Sequence, residues 1–323
     1  MMVSVIMPAY NAGRFIKRAI YSILDQSYTD LEVLICDDNS TDDTFDVVSN
    51  VSDARVTLLR NDVNVGYLKT CNDLFARCNG DFITFQDADD WSHPKRIEKQ
   101  LDFLSTHRRI DCVGTGSILT DSYGVTYGTN LYPAAHTDIV AQFSELSGVP
   151  FCPASVTFRR NVLQNGINYR EYFNRIGAED CDWIMRISES HKLANLSEPL
   201  YFYRRHGESL SNNFMDVNDV SFHSTAIAYF LYTQRLSSGK DSLMRDAFDE
   251  IDAFLDGRKK RISMNPYPYY QNLLFSHYLN GSFGSVAELY FKILKQAPFC
   301  MKQYLFPLKL LKLALTKLLN EGR

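Results

Sequence analysis

VSVIMPAYNAGRFIKRAIYSILDQSYTDLEVLICDDNS, residues 3–40, holds two short apolar, β-rich runs, Val3–Met7 and Leu31–Cys36, on either side of a helical pattern from about Ala12 to Asp25. The order then repeats: a helix from Asp42 to about Asn50, a strand at Val56–Arg60, a helix from about Gly66 to Cys78 and a strand at Phe82–Gln86. Strand, helix, strand in succession predicts an α/β fold with a mostly parallel central sheet flanked by helices. Ligands of such sheets gather outside the carboxyl ends of the strands. The polar residues fall at those ends: Pro8-Ala9-Tyr10-Asn11 after the first strand, Asp37–Thr41 after the second, and Asp87–Asp90 after the fourth.

Further along, a short helix from Arg96 leads to expected strands at Asp111–Leu119 and Pro153–Phe158, then a helix at 179–191 and a last strand at Leu200–Tyr203. Beyond about Asn213 turn residues thin out, and Ser221–Leu236, Asp241–Leu255, Pro266–Leu279 and Ser285–Leu294 all read as helices. The expected division is therefore residues 1–213 as the α/β domain and 214–323 as a helical C-terminal extension.

The 323 residues, 45% hydrophobic and 13% aromatic, suffice for one large core and an appendage. Against 38 Asp and Glu stand 34 Lys and Arg, a net charge of −4, which leaves no global attraction to nucleic acid. Seven cysteines with no C-x-x-C pair argue against a disulfide framework or zinc site and for a reducing cytoplasm. The N-terminal apolar run lacks a basic flank and breaks at Pro8, so it reads as a strand and not as a signal peptide, and no window holds eighteen uninterrupted apolar residues.

The acids carry the chemistry. Asp87-Ala88-Asp89-Asp90 crowds like charges that repel unless a cation relieves them, and Mg or Mn sites combine one or two carboxylates with substrate phosphates. The plainer account is an acidic turn in which Asp90 or Ser92 caps a helix started by Pro94. Asp37-Asp38 precede a cap at Ser40 or Thr41; Asp38 is also suited to accept a hydrogen bond from a base N–H or sugar hydroxyl, with Tyr10 packed on the base. Glu179-Asp180 favours a helix N-terminus, and one of the pair could serve as a general base if it faces the same pocket. Arg204-Arg205-His206 is either a solvated basic loop or the place where Arg205 or His206 meets a diphosphate, His206 also being a candidate metal ligand.

With these pieces in order the chain resembles family 2 glycosyltransferases, inverting enzymes of GT-A fold that use nucleotide-sugar donors. The resemblance rests on Val3–Asn11, Asp37–Thr44, Asn64-Val-Gly66 with Asn72, Gly80–Ile83, Asp87–Asp90, Glu179-Asp180 and Tyr203–His206, and covers about residues 2–213. It implies donor contacts, most often to UDP, from Pro8, Ala9, Tyr10, Asn11, Asp38, Asn64, Gly66, Lys69, Asn72, Gln86, Asp87, Ala88, Glu179 and Arg205. It makes Asp87-Ala88-Asp89 the D-x-D motif, with Asp89, Asp90 and His206 as ligands of Mn or Mg, and Asp180 the catalytic base. No Q-x-x-R-W signature of processive synthases is present, so one sugar per acceptor is expected. The family's biology points to a lipid-linked acceptor, such as an undecaprenyl-diphosphate sugar in O-antigen or capsule assembly. Two alternatives from other classes are a non-catalytic nucleotide-sugar-binding module and a metal-dependent nucleotidyltransferase. The latter would carry a glycine-rich basic loop where this chain has Pro8–Gly13.

At the C-terminus, residues 304–323 place Lys309, Lys312, Thr316 and Asn320 on one helical stripe among leucines, and Phe291–Arg323 holds seven basic residues and one acid. Such a helix is too short to cross a hydrocarbon core of roughly 30 Å. It suits either docking on an anionic membrane surface from the cytoplasmic side or packing on the helices before it.

Overall fold

The computed structural model describes residues 1–145, 148–206 and 219–265, together with 274, 287, 288, 290, 291, 294 and 295. The chain opens β1 (Val3–Ala9), α1 (Gly13–Leu24), β2 (Leu31–Asp37), α2 (Thr44–Ser49), β3 (Val56–Arg60), α3 (Tyr67–Arg77) and β4 (Phe82–Phe85), within a few residues of the expected bounds. It continues with β5 (Trp91–Ser92), α4 (Arg96–Thr106), β6 (Cys112–Thr120), β7 (Thr126–Asn130), α5 (His136–Ser144), β8 (Thr157–Arg159), α6 (Glu179–Ser188) and β9 (Leu193–Arg204). Helices α7 (Ser224–Ser238) and α8 (Phe248–Met264) follow.

One nine-stranded sheet has the order β3-β2-β1-β4-β8-β6-β9-β5, with β7 on β6. Strands β1 to β4 pair in parallel. Antiparallel pairing enters with β8, which lies between β4 and β6, while β6 and β9 pair in parallel. The two-residue β5 and the exposed β7 were not expected, because neither carries the apolar run by which a strand is recognised. Pro153–Ser155 forms a 3-10 turn, so β8 starts four residues later than expected, and β9 starts at Leu193, not Leu200. The helix expected at Asp241–Leu255 lies at 248–264, and the expected helices over 266–279 and 285–294 and the C-terminal stripe fall largely or wholly outside the described residues.

Every residue of β1 is buried, and Val3, Val5 and Met7 pack with Val33 and Ile35 of β2 against Ile16, Ala19, Ile20 and Ile23 of α1. Elsewhere an aromatic cluster fixes α6: Trp183 lies edge-on to Phe158 at 5.1 Å, Tyr169 at 5.5 Å and Phe85 at 5.8 Å, and its Nε1 donates to the Ile167 carbonyl at 2.8 Å. Because Phe85 is the last residue of β4, this cluster ties α6 to the strand that ends in the acidic loop.

Two compact units result: Met1–Arg205 with Ser224–Asp241, and His206–His223 with Ser242–Arg323. The boundary expected near 214 falls among residues outside the description. Helix α7 belongs with the first unit because Arg235, almost fully buried, bonds Glu189 just after α6 at 2.6 Å and Asp241 at 2.5 Å. Among the described residues six cysteines are free and buried, and no helix is long and apolar enough to cross a membrane.

Candidate active site

Helix α1 has no side-chain cap of its own; the loop after β2 satisfies its start. Ser40 Oγ accepts the Asn11 N–H, Thr44 Oγ1 the Ala12 N–H at 2.8 Å, and Asp42 Oδ2 the Gly13 N–H. The ends of β1 and β2 are thereby fastened together. Pro8 and Ala9 are buried within β1, while Tyr10 remains about half exposed at its end.

Asp38 is buried and fully engaged. Its Oδ1 accepts from Asn61 Nδ2 at 2.7 Å and the Val65 N–H at 2.9 Å, and its Oδ2 from the Gly66 N–H at 2.8 Å. Asp38 therefore shapes the 61–66 loop. Gly66 sits at φ +98°, and a Cβ there would come 2.6 Å from Asn174 Oδ1, so glycine is required. The 174–175 turn grips the same loop: Asn174 Nδ2 donates to the Val65 carbonyl, and Arg175 Nη2 to both oxygens of Asn64 at 2.7 Å. Asn72, expected at the donor, exchanges hydrogen bonds with the Tyr169 backbone at 2.9 and 3.0 Å, and Lys69 pairs with Glu171. In this structure both side chains tie α3 to the segment before α6.

In the acidic loop, Asp87 Oδ1 accepts from Tyr67 Oη at 3.1 Å, and the Asp87 N–H donates to Tyr201 Oη at 3.1 Å. Gln86, expected at the donor, is wholly buried and bonds Ser92 Oγ at 2.6 Å, so it holds the loop from within. Asp90 is buried; its Oδ1 accepts the Arg204 N–H at 2.7 Å while Oδ2 has no partner. Arg204 Nε donates to the Asp89 carbonyl at 2.7 Å, so Arg204 meets this loop directly, whereas Arg205 donates its backbone N–H to the Thr120 carbonyl. His206 opens the second unit.

At the start of α6, Gly177 and Ala178 both adopt positive φ, +84° and +63°; for alanine this is a strained conformation directly before Glu179-Asp180. Asp180 Oδ1 accepts the Cys181 N–H at 2.6 Å. Burial and then the charge of Asp180 lift Glu179 to about 8, and burial lifts Asp180. Burial and then the charge of Asp89, with that of Asp180 added, lift Asp87 to about 7. Burial, then Asp89 and Asp87, raise Asp90 well above the carboxylate range. Carboxylates from the end of β4 and the start of α6 thus disfavour one another's ionisation.

Among the described residues no three carboxylate, His or Cys side chains form a ready-made metal cage. The donor set nevertheless suits a hard divalent cation: oxygen ligands crowded enough to be raised by one another, and one buried Asp90 oxygen with no donor.

Sequence reasoning passed over Tyr67, Tyr201 and Arg204, which brace the acidic loop, and Asn174 and Arg175, which hold 64–66. An isolated Tyr or Asn carries no spacing pattern, and these reach the site from far along the chain. Arg204 alone was within reach, as the first residue of the basic triplet.

The sequence model of "Glycosyl transferase family 2" matches residues 4–166. EpsE of Bacillus subtilis (strain 168) is 35% identical over 212 residues, covering 64% of this chain and 74% of EpsE. The UDP-Glc:alpha-D-GlcNAc-diphosphoundecaprenol beta-1,3-glucosyltransferase WfaP of Escherichia coli is 27% identical over 213 residues, 66% of this chain and 80% of WfaP. Among solved structures, S. aureus TarS 1–349 in complex with UDP-GlcNAc superposes with a TM-score of 0.62 at 20% identity, covering 85% of this chain and 80% of that one, which shows the shared GT-A fold. The chain is a glycosyltransferase and belongs to glycosyl transferase family 2.

Proposed function

We propose that this glycosyltransferase moves one sugar from a UDP-sugar to a hydroxyl of a lipid-linked oligosaccharide in bacterial surface-polysaccharide synthesis, with inversion at the anomeric carbon. The observation that carries the reading is the convergence of Asp87–Asp90 with Glu179-Asp180, whose ionisations are mutually disfavoured. A pocket that repels its own negative charge is suited to a donor that arrives with a cation, and to a carboxylate that takes up a proton near neutral pH.

In this reading Pro8, Ala9, Tyr10 and Asn11 line the nucleoside, with the open ring of Tyr10 against the base. Asp38 presents the 64–66 loop to it by holding the Val65 and Gly66 N–H groups. Asp89 and Asp90 would hold Mn or Mg, which when bound offsets the charge of the departing diphosphate. Arg204 keeps both acids in register, and Arg205 faces the diphosphate. Asp180, made more basic by burial, takes the proton of the acceptor hydroxyl as its oxygen attacks in line. The lipid-linked acceptor is supported by WfaP, which acts on a diphosphoundecaprenol-linked sugar.

Thermal melting with a panel of nucleoside diphosphates and nucleotide sugars, with and without Mn, is the first test. A Mn-dependent rise with UDP and one UDP-sugar is expected. A rise only with another nucleotide would replace the donor, and Mn-independent turnover would remove the metal assignment. Inversion is checked by NMR of the product's anomeric centre.

A further inference from the structure

We infer that the face made by α1 and the β6–β7 hairpin docks on anionic lipid headgroups at a membrane surface. Helix α1 buries Phe15, Ile16, Ala19, Ile20, Ile23 and Leu24, and its other side carries Arg14, Lys17, Arg18 and Tyr21 with no acid anywhere in the helix. Among the described residues none of these three cations lies within ion-pair distance of a carboxylate. They border a shallow depression of about 480 Å3, to which Tyr21, Trp91 and one acid, Asp25, also contribute.

The hairpin tip completes the face. Arg14 lies 6.0 Å from the Tyr123 ring, and Arg18 stacks 3.4 Å over Trp91. A Cβ on Gly124 would come 2.8 Å from Arg18 Nη1, so the tip packs directly beside the basic side of α1. Tyr123 is 82% and Val125 62% exposed at that tip, and Tyr127 follows them partly exposed on β7.

Three cations that form no ion pair among the described residues, beside a protruding aromatic and aliphatic tip, match the two layers of a bilayer surface. Phosphate headgroups meet the guanidinium and ammonium groups, and the tyrosine and valine enter the boundary beneath. The chain as a whole carries −4, so an anionic surface repels it in other orientations, and this face determines the one that is held. The face adjoins the site, because Arg204, which bonds the Asp89 carbonyl, stacks over Phe15 at 4.6 Å and Trp91 at 4.7 Å. Docking itself does not depend on the proposed acceptor; if that acceptor is lipid-linked, docking brings its diphosphate end beside the acidic loop.

The test is vesicle co-sedimentation of the full chain with phosphatidylcholine alone and with phosphatidylcholine containing phosphatidylglycerol. Two variants are compared, Arg14→Glu with Lys17→Glu, and Tyr123→Ser with Val125→Ser, each verified as folded by an unchanged melting temperature. Binding to anionic vesicles only is expected, weakened about tenfold or more by the charge pair and measurably by the tip pair. Equal binding of both variants and the parent would overturn the proposal in favour of an anchor elsewhere in the chain, including residues 304–323. Equal binding to neutral vesicles, or none to either, would overturn it as well. UDP-sugar hydrolysis without vesicles, unchanged in both variants, keeps this outcome separate from that of the transfer reaction.

Discussion

Asp180 bonds the Cys181 N–H and has its pKa lifted by burial, so it binds a proton nearer neutral pH than an exposed aspartate does. Asp180→Asn is expected to lower kcat by roughly 100- to 10,000-fold, the range of general base catalysis, with the UDP-sugar Kd from calorimetry nearly unchanged. Equal loss of both would remove the base assignment. Asp89→Ala is expected instead to weaken donor binding in Mn while leaving the weaker metal-free binding as it was, measured by the same titration. Both residues stand out in the sequence as members of acid clusters at strand and helix ends, and the roles proposed for them come from the family resemblance. The internal commitments of Asp38 and Asn72 were not, since a carboxylate or amide offers the same hydrogen bonds to a backbone as to a ligand.

Two elements depend on buried arginines. Arg96, at the start of α4, is fully buried and donates to the Phe85 carbonyl at 2.9 Å, Ser92 Oγ at 2.7 Å and Thr84 Oγ1 at 3.0 Å, so one guanidinium spans both ends of the acidic loop. Burial lowers it to about 10, and its bonds go to hydroxyl, amide and carbonyl oxygens. Arg96→Met is expected to cost on the order of 1–3 kcal/mol, since it strands buried acceptors, and to speed hydrogen exchange over Gln86–Ser92; unchanged exchange would show that the loop holds itself. Within α6, Asp182 is wholly buried and receives Arg170 and, at 2.9 Å, Arg186, while Arg170 reaches Asp241 at 2.7 Å. Asp182→Ala leaves two guanidiniums short of a partner and is expected to destabilise by roughly 3–5 kcal/mol, read by urea denaturation; a loss below about 1 kcal/mol would assign the network little weight. In sequence Arg96 resembles any polar residue starting a helix, and Asp182 any acid in a first turn. Only the strands and helices that close over them make them interior.

For the molecule as a whole, the raised acids set a pH dependence. Glu179 at about 8 against an ordinary 4.5, and Asp87 at about 7 against 3.8, bind protons more tightly folded than unfolded. Their contribution to stability is full below those ordinary values and is lost as pH rises through about 7 and 8. The melting temperature of the ligand-free protein is therefore expected to fall over that window, Glu179→Gln to flatten the fall, and Mn with UDP to restore part of it. Melts across the pH range check this, and a Glu179→Gln profile superposable on the parent's would count against a shared acidic pocket.

The sequence by itself determined the alternation of strand and helix through β4, the placement of acids at the strand ends and the family, because these depend on local periodicity and contiguous motifs. Only the tertiary structure decided the antiparallel β8 between β4 and β6, the grouping of α7 with the first unit, and the joining of Glu179-Asp180 to the loop after β4. It also revealed that Arg204 braces that loop. Each of these joins segments far apart in the chain through aromatic packing, buried ion pairs or mutual charge. Such interactions follow from distance in space, and periodicity along a single chain does not encode that distance.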